Sequence, residues 1–287
     1  MTVSSAVNKT SPLARRAGAW EKGRTMLPDA KDIILETRGL TKRYGGVHAL
    51  EDVDCVIRHG EHIAIVGDNG AGKSTFVRNI TGVERPTAGK VLLDGQEVHF
   101  ASPQDARRSG IETVYQNLAL ADYLDVPANI FLGREEVRFR LGPFSWMNKR
   151  AMRQKAEELL EQTGIKIPDL NQQVMSMSAG QRQCVALSRA AGGGSKLIIM
   201  DEPTAALGIQ ETTRVENIIR GLKARGVTVI LVSHNLRQVF NLVDRIMVFR
   251  RGRIAGILDA KTASGNEVVA LITGVSDQGV HENASYI

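Results

Sequence analysis

The chain has 287 residues, of which 43% are hydrophobic and 24% charged, with a formal net charge of +6. Such a length buries one large core, or a core with a satellite subdomain. The longest apolar runs, LIIM at 197–200 and VTVILV at 227–232, have strand length, which excludes a membrane-spanning helix of roughly 18–20 apolar residues.

In chain order, residues 1–32 read as a disordered basic extension. Lys9, Arg15, Arg16, Lys22, Arg24 and Lys31 face only Glu21 and Asp29 in the first 31 residues, and the apolar run of a secretory signal is missing. The first 31 residues carry +4 of the net charge, so little excess remains for a nucleic-acid-binding face and no nucleic-acid partner is expected. A weak attraction to anionic lipid headgroups is compatible with it.

IILETRGL from Ile33 and the segment 49–57 read as strands, the second ending in the turn His59-Gly60. HIAIVG at 62–67 is a buried strand that runs into a glycine-rich loop and a helix at 73–82. Turns at Arg85-Pro86 and Asp94-Gly95 bracket the short strand VLL. SPQDARRSG is a serine-capped helix closed by Gly110, and IETVYQ a further strand. From about 117 to 175 no strand is expected. NKRAMRQKAEELLEQTG is an amphipathic helix with Met152, Ala156, Leu159 and Leu160 on one face and Gly164 as its stop. Alternation then resumes: helix 178–192, strand 196–200, helix 210–225, strand 227–232, helix 236–243, strand 245–249. Only 53 residues follow His234, enough for a helix and two strands and too few for another domain. Strands alternating with helices predict an α/β fold with a mostly parallel sheet covered on both faces.

Cys55 and Cys184 are the only cysteines. They lie far apart and outside metal-ligand spacing, so they read as packed, reduced thiols. The six histidines show no HxxxH or HExxH pattern of a zinc site.

HIAIVG-DNGAGKST fits the phosphate-binding loop, with Gly67, Gly72, Lys73 and Ser74 at the required spacing between a strand and a helix. Glycines allow backbone N–H groups to approach phosphate oxygens, and the helix that follows points its positive end at the same anion. Lys73 is expected to reach the β- and γ-phosphates of ATP, Ser74 to ligate Mg²⁺ and Thr75 to support the α/β-phosphate side. Asp68, Asn69, Gly70 and Ala71 complete the loop.

KLIIMDEP is an apolar strand ending in two acids, where open α/β sheets place their ligands. Alternation along a strand is expected to aim the two side chains apart. Asp201 is then the residue for the Mg²⁺ shell and Glu202 the one that polarises the attacking water. Pro203 ends the strand.

MSAGQRQ at 177–183 opens a helix with the capping box Ser178-x-x-Gln181. It also resembles the LSGGQ signature of ABC (ATP-binding-cassette) ATPases, with Met177 for Leu and Ala179 for the first Gly, and Ser178 stands 23 residues before Asp201. The resemblance covers roughly 33–274. It implies an ABC ATPase domain over that span: a P-loop NTPase (RecA-like) core, an N-terminal antiparallel β portion, and a helical subdomain inserted at about 117–190. A tail follows at 275–287. It further implies that Ser178, Gly180 and Gln181 contact the γ-phosphate held by a second copy, so that the active site needs a homodimer closed on two ATP molecules. Gln116 matches the glutamine that senses Mg²⁺ and the membrane partner. His234 matches the switch histidine that meets the γ-phosphate and orients Glu202. Tyr44, in KRYGGVHAL, matches the aromatic that stacks on adenine.

One departure separates the chain from the common pattern. ABC ATPases usually read DEPTSALD, whereas this chain reads DEPTAALG, with Gly208 in place of the dimer-contacting Asp. AALG, together with SHNLRQVF, DRI and a terminal LITG, resembles the ATPases of ribose-, xylose- and fructose-type importers. The resemblance implies ATP-driven import of a simple sugar. It places the chain peripherally at the cytoplasmic face of the inner membrane, with integral-membrane permease subunits and, indirectly, a substrate-binding protein as partners. The alternatives are transport of an amino acid or lipid, and a soluble ABC ATPase of DNA repair or translation. Those soluble enzymes generally carry paired cassettes or long coiled-coil insertions. A nucleotide-gated module with negligible turnover is a further alternative, against which the intact Glu202 and His234 stand.

Overall fold

The computed structural model describes residues 32–141, 144–162, 165 and 167–275. The basic extension through residue 31, the tail beyond 275 and the helix stop expected at Gly164 lie outside the described residues.

β1 (Ile33–Tyr44) and β2 (Val47–Arg58) form a long antiparallel hairpin. β1 also pairs antiparallel with β4 (Ala88–Leu93), which carries the short β5 (Gln96–Glu97). A second sheet holds β3 (His62–Val66), β6 (Ile111–Val114), β9 (Leu197–Asp201), β10 (Thr228–Val232) and β11 (Arg245–Arg250), all parallel, with β12 (Arg253–Asp259) antiparallel on one edge. Its order is β12-β11-β3-β10-β9-β6. The helices are α1 (Lys73–Ile80), α2 (Pro103–Arg108), α3 (Val126–Ile130), α4 (Lys149–Gln162), α5 (Ala179–Ala191), α6 (Ile209–Ala224), α7 (Leu236–Leu242) and α8 (Gly265–Thr273). The fold is α/β with a mostly parallel main sheet, as expected.

Period-two alternation sorts the central strands between two cores. Ile63, Ile65, Leu197, Ile199, Ile230, Met247 and Phe249 face the antiparallel sheet and α1, where Phe76 packs on Phe249. Ala64, Val66, Ile198, Met200, Val229, Leu231, Ile246 and Val248 face the opposite way, onto α5, α6, α7 and α8. Each large aliphatic or aromatic side chain buried in these layers is worth about 1.5–3 kcal/mol, which explains why these strands are apolar throughout. A third core joins Val126, Ile130, Met152, Ala156, Leu160 and Val174 in the inserted segment. Val185 of α5 belongs to it, whereas Cys184, Ala186 and Leu187 of the same helix pack on the main sheet. One helix thus ties the insertion to the sheet. Cys55 and Cys184 are free and buried, and burial pushes both thiols up to about 11, so both stay protonated packing groups.

Two elements depart from the sequence reading. The stretch expected to lack strands contains a hairpin, β7 (Val137–Leu141) with β8 (Phe144–Met147). Its signal is the alternation of Val137 and Phe139 with Arg138, and the cross-strand stack of Phe139 on Trp146, centroids 5.4 Å apart, supports the pairing. The second is α8, beyond β12, opened by a capping box between Ser264 and Glu267. Among the described residues no helix is long and apolar enough to cross a membrane.

Candidate active site

All five residues of β3 are buried, and the chain leaves this strand through Gly67. There φ is +146°, and a Cβ would lie 2.3 Å from the backbone oxygen of Phe249 on β11. Only glycine fits that approach. The chain then turns back, with Ala71 N–H donating to Asp68 O at 3.1 Å. α1 begins at Gly72 with no side-chain cap, and its first turn of N–H groups is open to an anion. Lys73 Nζ lies across its own loop, donating to Gly67 O at 2.6 Å and Asp68 O at 2.8 Å. Burial lowers its pKa, opposed by the carboxylates of Glu202, Asp68 and Asp201. Asn69, Gly70 and Ser74 are exposed at the rim, and Thr75 is half-buried.

Register brings the other residues to the same end of the sheet. Val232 of β10 pairs with Asp201 of β9 on one side and Ile65 of β3 on the other. Asp201 is half-buried, and burial together with neighbouring Glu202 raises its pKa. Glu202 lies past the strand with φ +50°, a conformation that non-glycine residues seldom adopt. The expected strand alternation therefore does not orient it. Instead its N–H donates to Val232 O at 2.9 Å, and this turn aims its carboxylate at the loop after β10. Glu202 Oε1 accepts from His234 N–H at 3.1 Å and meets His234 Nδ1 at 2.7 Å. With Nδ1 so engaged, Nε2 is the nitrogen left for a substrate. Lys73, Asp201, Glu202 and His234 thus lie together at one end of the sheet.

The remaining expected positions lie around it. Tyr44 ends β1, its hydroxyl interacting with Glu84 and with Thr75 of α1, and Lys42 Nζ sits 5.1 Å from its ring centroid. Gln116 is exposed, two residues beyond the end of β6 rather than on it. β6 lies three strands from β3, roughly 14 Å at the usual strand spacing. Ser178 caps α5: its Oγ accepts from Gln181 N–H at 3.3 Å, and Ser178 N–H donates to Gln181 Oε1 at 2.9 Å. A Cβ on Gly180 would lie 2.3 Å from Glu211 Cγ, so the start of α5 packs closely on α6. Gly208 is the N-cap of α6, with no side-chain cap. No hydrogen bond or ion pair among the described residues joins Ser178, Gly180 or Gln181 to the phosphate loop. The sequence reading passed over Thr204 and Gln238, which bond to each other at 3.0 Å across 34 residues. The only local signal near them is the Asn235 cap of α7.

A glycine-hinged loop, an open helix N-terminus with a lysine, and acids at the ends of adjacent parallel strands define the P-loop nucleotide-hydrolase class. A model of the ABC transporter family matches residues 50–205, and the chain belongs to that family as an ATP-binding, ATP-hydrolysing cassette.

Among similar proteins, the fructose import ATP-binding protein FrcA of Rhizobium meliloti is 44% identical over 251 residues, covering 86% of this chain and 96% of that protein. The xylose/arabinose import ATP-binding protein XylG of Sulfolobus acidocaldarius is 42% identical, covering 84% and 94%. The ribose import ATP-binding protein RbsA 1 of Rubrobacter xylanophilus is 41% identical over 85% of this chain but only 47% of its own length. Among solved structures, cbiO1 of Clostridium perfringens, part of the cbiONQ ABC transporter complex, superposes with a TM-score of 0.71 at 25% identity, covering 87% of this chain and 97% of that one. A dimeric post-hydrolysis form of the cassette MJ0796, bound to ADP and Pi, superposes at 0.67 with 25% identity, covering 79% and 99%.

Proposed function

We propose that this chain is the ATP-hydrolysing subunit of an importer for a simple sugar. It works as two identical copies under integral-membrane permease subunits, at the cytoplasmic face of the inner membrane, with a substrate-binding protein delivering the sugar. The observation that carries the enzymatic half is the contact of Glu202 with His234 beside Lys73. Sugar import is supported by similarity to the fructose and xylose/arabinose import proteins over 84–86% of this chain and 94–96% of theirs. We read residues 33–274 as the cassette domain, with 117–190 as its helical subdomain.

In this reading Lys73 leaves the carbonyls of Gly67 and Asp68 for the β- and γ-phosphate oxygens of ATP, and the N–H groups of the loop and α1 hold the rest. Tyr44 stacks on the adenine. Glu202 accepts a proton from water as the water oxygen attacks the γ-phosphorus. The bond to the bridging oxygen breaks, and ADP and phosphate leave. His234 holds Glu202 through Nδ1 and meets the γ-phosphate through Nε2. Ser74, Asp201 and the side-chain oxygen of Gln116 are hard oxygen donors with a single carboxylate among them, a set suited to Mg²⁺ held mainly by nucleotide phosphates. When bound, the ion neutralises charge on the phosphate oxygens. Ser178, Gly180 and Gln181 of the second copy close the other side of the nucleotide, and the pull of closure reaches the permease beside Gln116.

Glu202→Gln is expected to keep ATP binding, lose turnover by about 10²–10⁴-fold and accumulate closed dimer. Phosphate release and light scattering on the variant check this. Turnover at the wild-type rate removes Glu202 from the role.

A further inference from the structure

The proposed hydrolytic pair sits on two separate loops, and one buried side chain joins them. Glu202 follows β9 and His234 follows β10. Gln238, on α7, is 2% exposed. Its Oε1 accepts from Thr204 Oγ1 at 3.0 Å and from Ser233 Oγ at 3.5 Å. Thr204 lies two residues after Glu202, and Ser233 immediately precedes His234. The Ser233 hydroxyl also accepts from Asn235 N–H at 3.1 Å, and Asn235 Oδ1 accepts from Gln238 N–H at 3.2 Å. The bonds therefore run from the Glu202 loop, through one amide oxygen, to the His234 loop and the start of α7.

The other end of the same amide is unpartnered among the described residues: Nε2 of Gln238 is buried and makes no hydrogen bond to any of them. Leaving a buried donor unmade disfavours folding, and a leucine of similar volume avoids that loss. Stability alone is a poor reason for glutamine here. What glutamine offers and leucine does not is the acceptor oxygen between the two loops.

We propose that Gln238 is a positioning residue that sets the spacing of these loops, and with it the 2.7 Å contact between Glu202 and His234. The inference rests on reading that pair as the hydrolytic one. Gln238 acts on the geometry of attack, because its oxygen holds neither the phosphate loop nor α1.

The test is steady-state phosphate release by the full chain carrying Gln238→Leu, Gln238→Glu or Thr204→Val, with ATP affinity and thermal melting measured alongside. Gln238→Leu is expected to lower kcat about 10- to 100-fold, the scale of an ångström-level misplacement, with KM within about twofold of wild type and no loss of melting temperature. Gln238→Glu keeps the acceptor oxygen, protonated by burial, and is expected to restore most of kcat. Thr204→Val removes the same bond from its other end, lowers kcat, and adds little to Gln238→Leu in the double variant. Wild-type kcat in Gln238→Leu, or equal loss in the Leu and Glu variants, overturns the proposal. If Gln238→Leu does not fold, wild-type kcat in Thr204→Val overturns it. Glu202→Gln run in parallel separates the two readings. Inactive Glu202→Gln beside fully active Gln238→Leu sinks only the positioning role, whereas active Glu202→Gln sinks the hydrolytic pair as well.

Discussion

The helices that open at Lys73 and at Ala179 begin in opposite ways. α1 starts from Gly72 without a side-chain cap, whereas α5 starts from Ser178 with a closed capping box to Gln181. An uncapped first turn leaves several N–H groups without a partner in the helix, free for water or a ligand. At α1 the approach is rigid, because Gly67 is pressed on the Phe249 backbone and Lys73 bonds back across the loop. At α5 the exposed end stays helical through its own side chains. The proposed sandwich explains the contrast: one N-terminus always meets its own nucleotide, and the other waits for one brought by a second copy.

The contrast can be broken at either helix. The largest effect is expected from Gly67→Ala, whose Cβ would meet a backbone oxygen at 2.3 Å with φ at +146°. No rotamer relieves that contact, so a loss of about 3 kcal/mol or more is expected, with ATP binding abolished. Melting and ATP titration check it, and an unchanged melting curve would remove the Phe249 approach as the source of loop rigidity. Lys73→Ala comes next. A hydrogen bond to a charged group is worth about 1.5–3 kcal/mol, so ATP affinity should fall roughly 10- to 100-fold with little change in melting temperature. Ser178→Ala is the smallest. Losing the cap costs about 1 kcal/mol, or about 2–4 °C in melting temperature for a chain of this size. Monomer ATP affinity should stay at the wild-type value while ATP-dependent dimerisation weakens. A variant that dimerises normally would detach the α5 cap from the nucleotide.

Much of this was legible in the residues. The phosphate loop, the buried strand ending at Asp201 and the Ser178 box are local patterns, each set by backbone chemistry within about ten residues. The β7–β8 hairpin was not read because its strands are short and lie between helical segments, although Val137 and Phe139 alternate with arginine. α8 was missed even though Ser264 and Glu267 form the same kind of box as Ser178 and Gln181. Strand alternation does not place Glu202. Its neighbour Asp201 ends the strand, and a left-handed turn, not strand alternation, aims Glu202 at His234.

The sequence by itself determined where phosphate can be gripped, which strands are buried and which helix ends are capped, because spacing and side-chain type decide those locally. Only the tertiary structure decided that β10 lies between β3 and β9. That order brings Glu202 to His234 across 32 residues and lets Gln238 bridge their loops. Its physical reason is that a strand apolar on both faces gains most at the centre of a parallel sheet, where helices cover each side. Which buried strand neighbours which is settled by packing over the whole chain, and no local pattern states it.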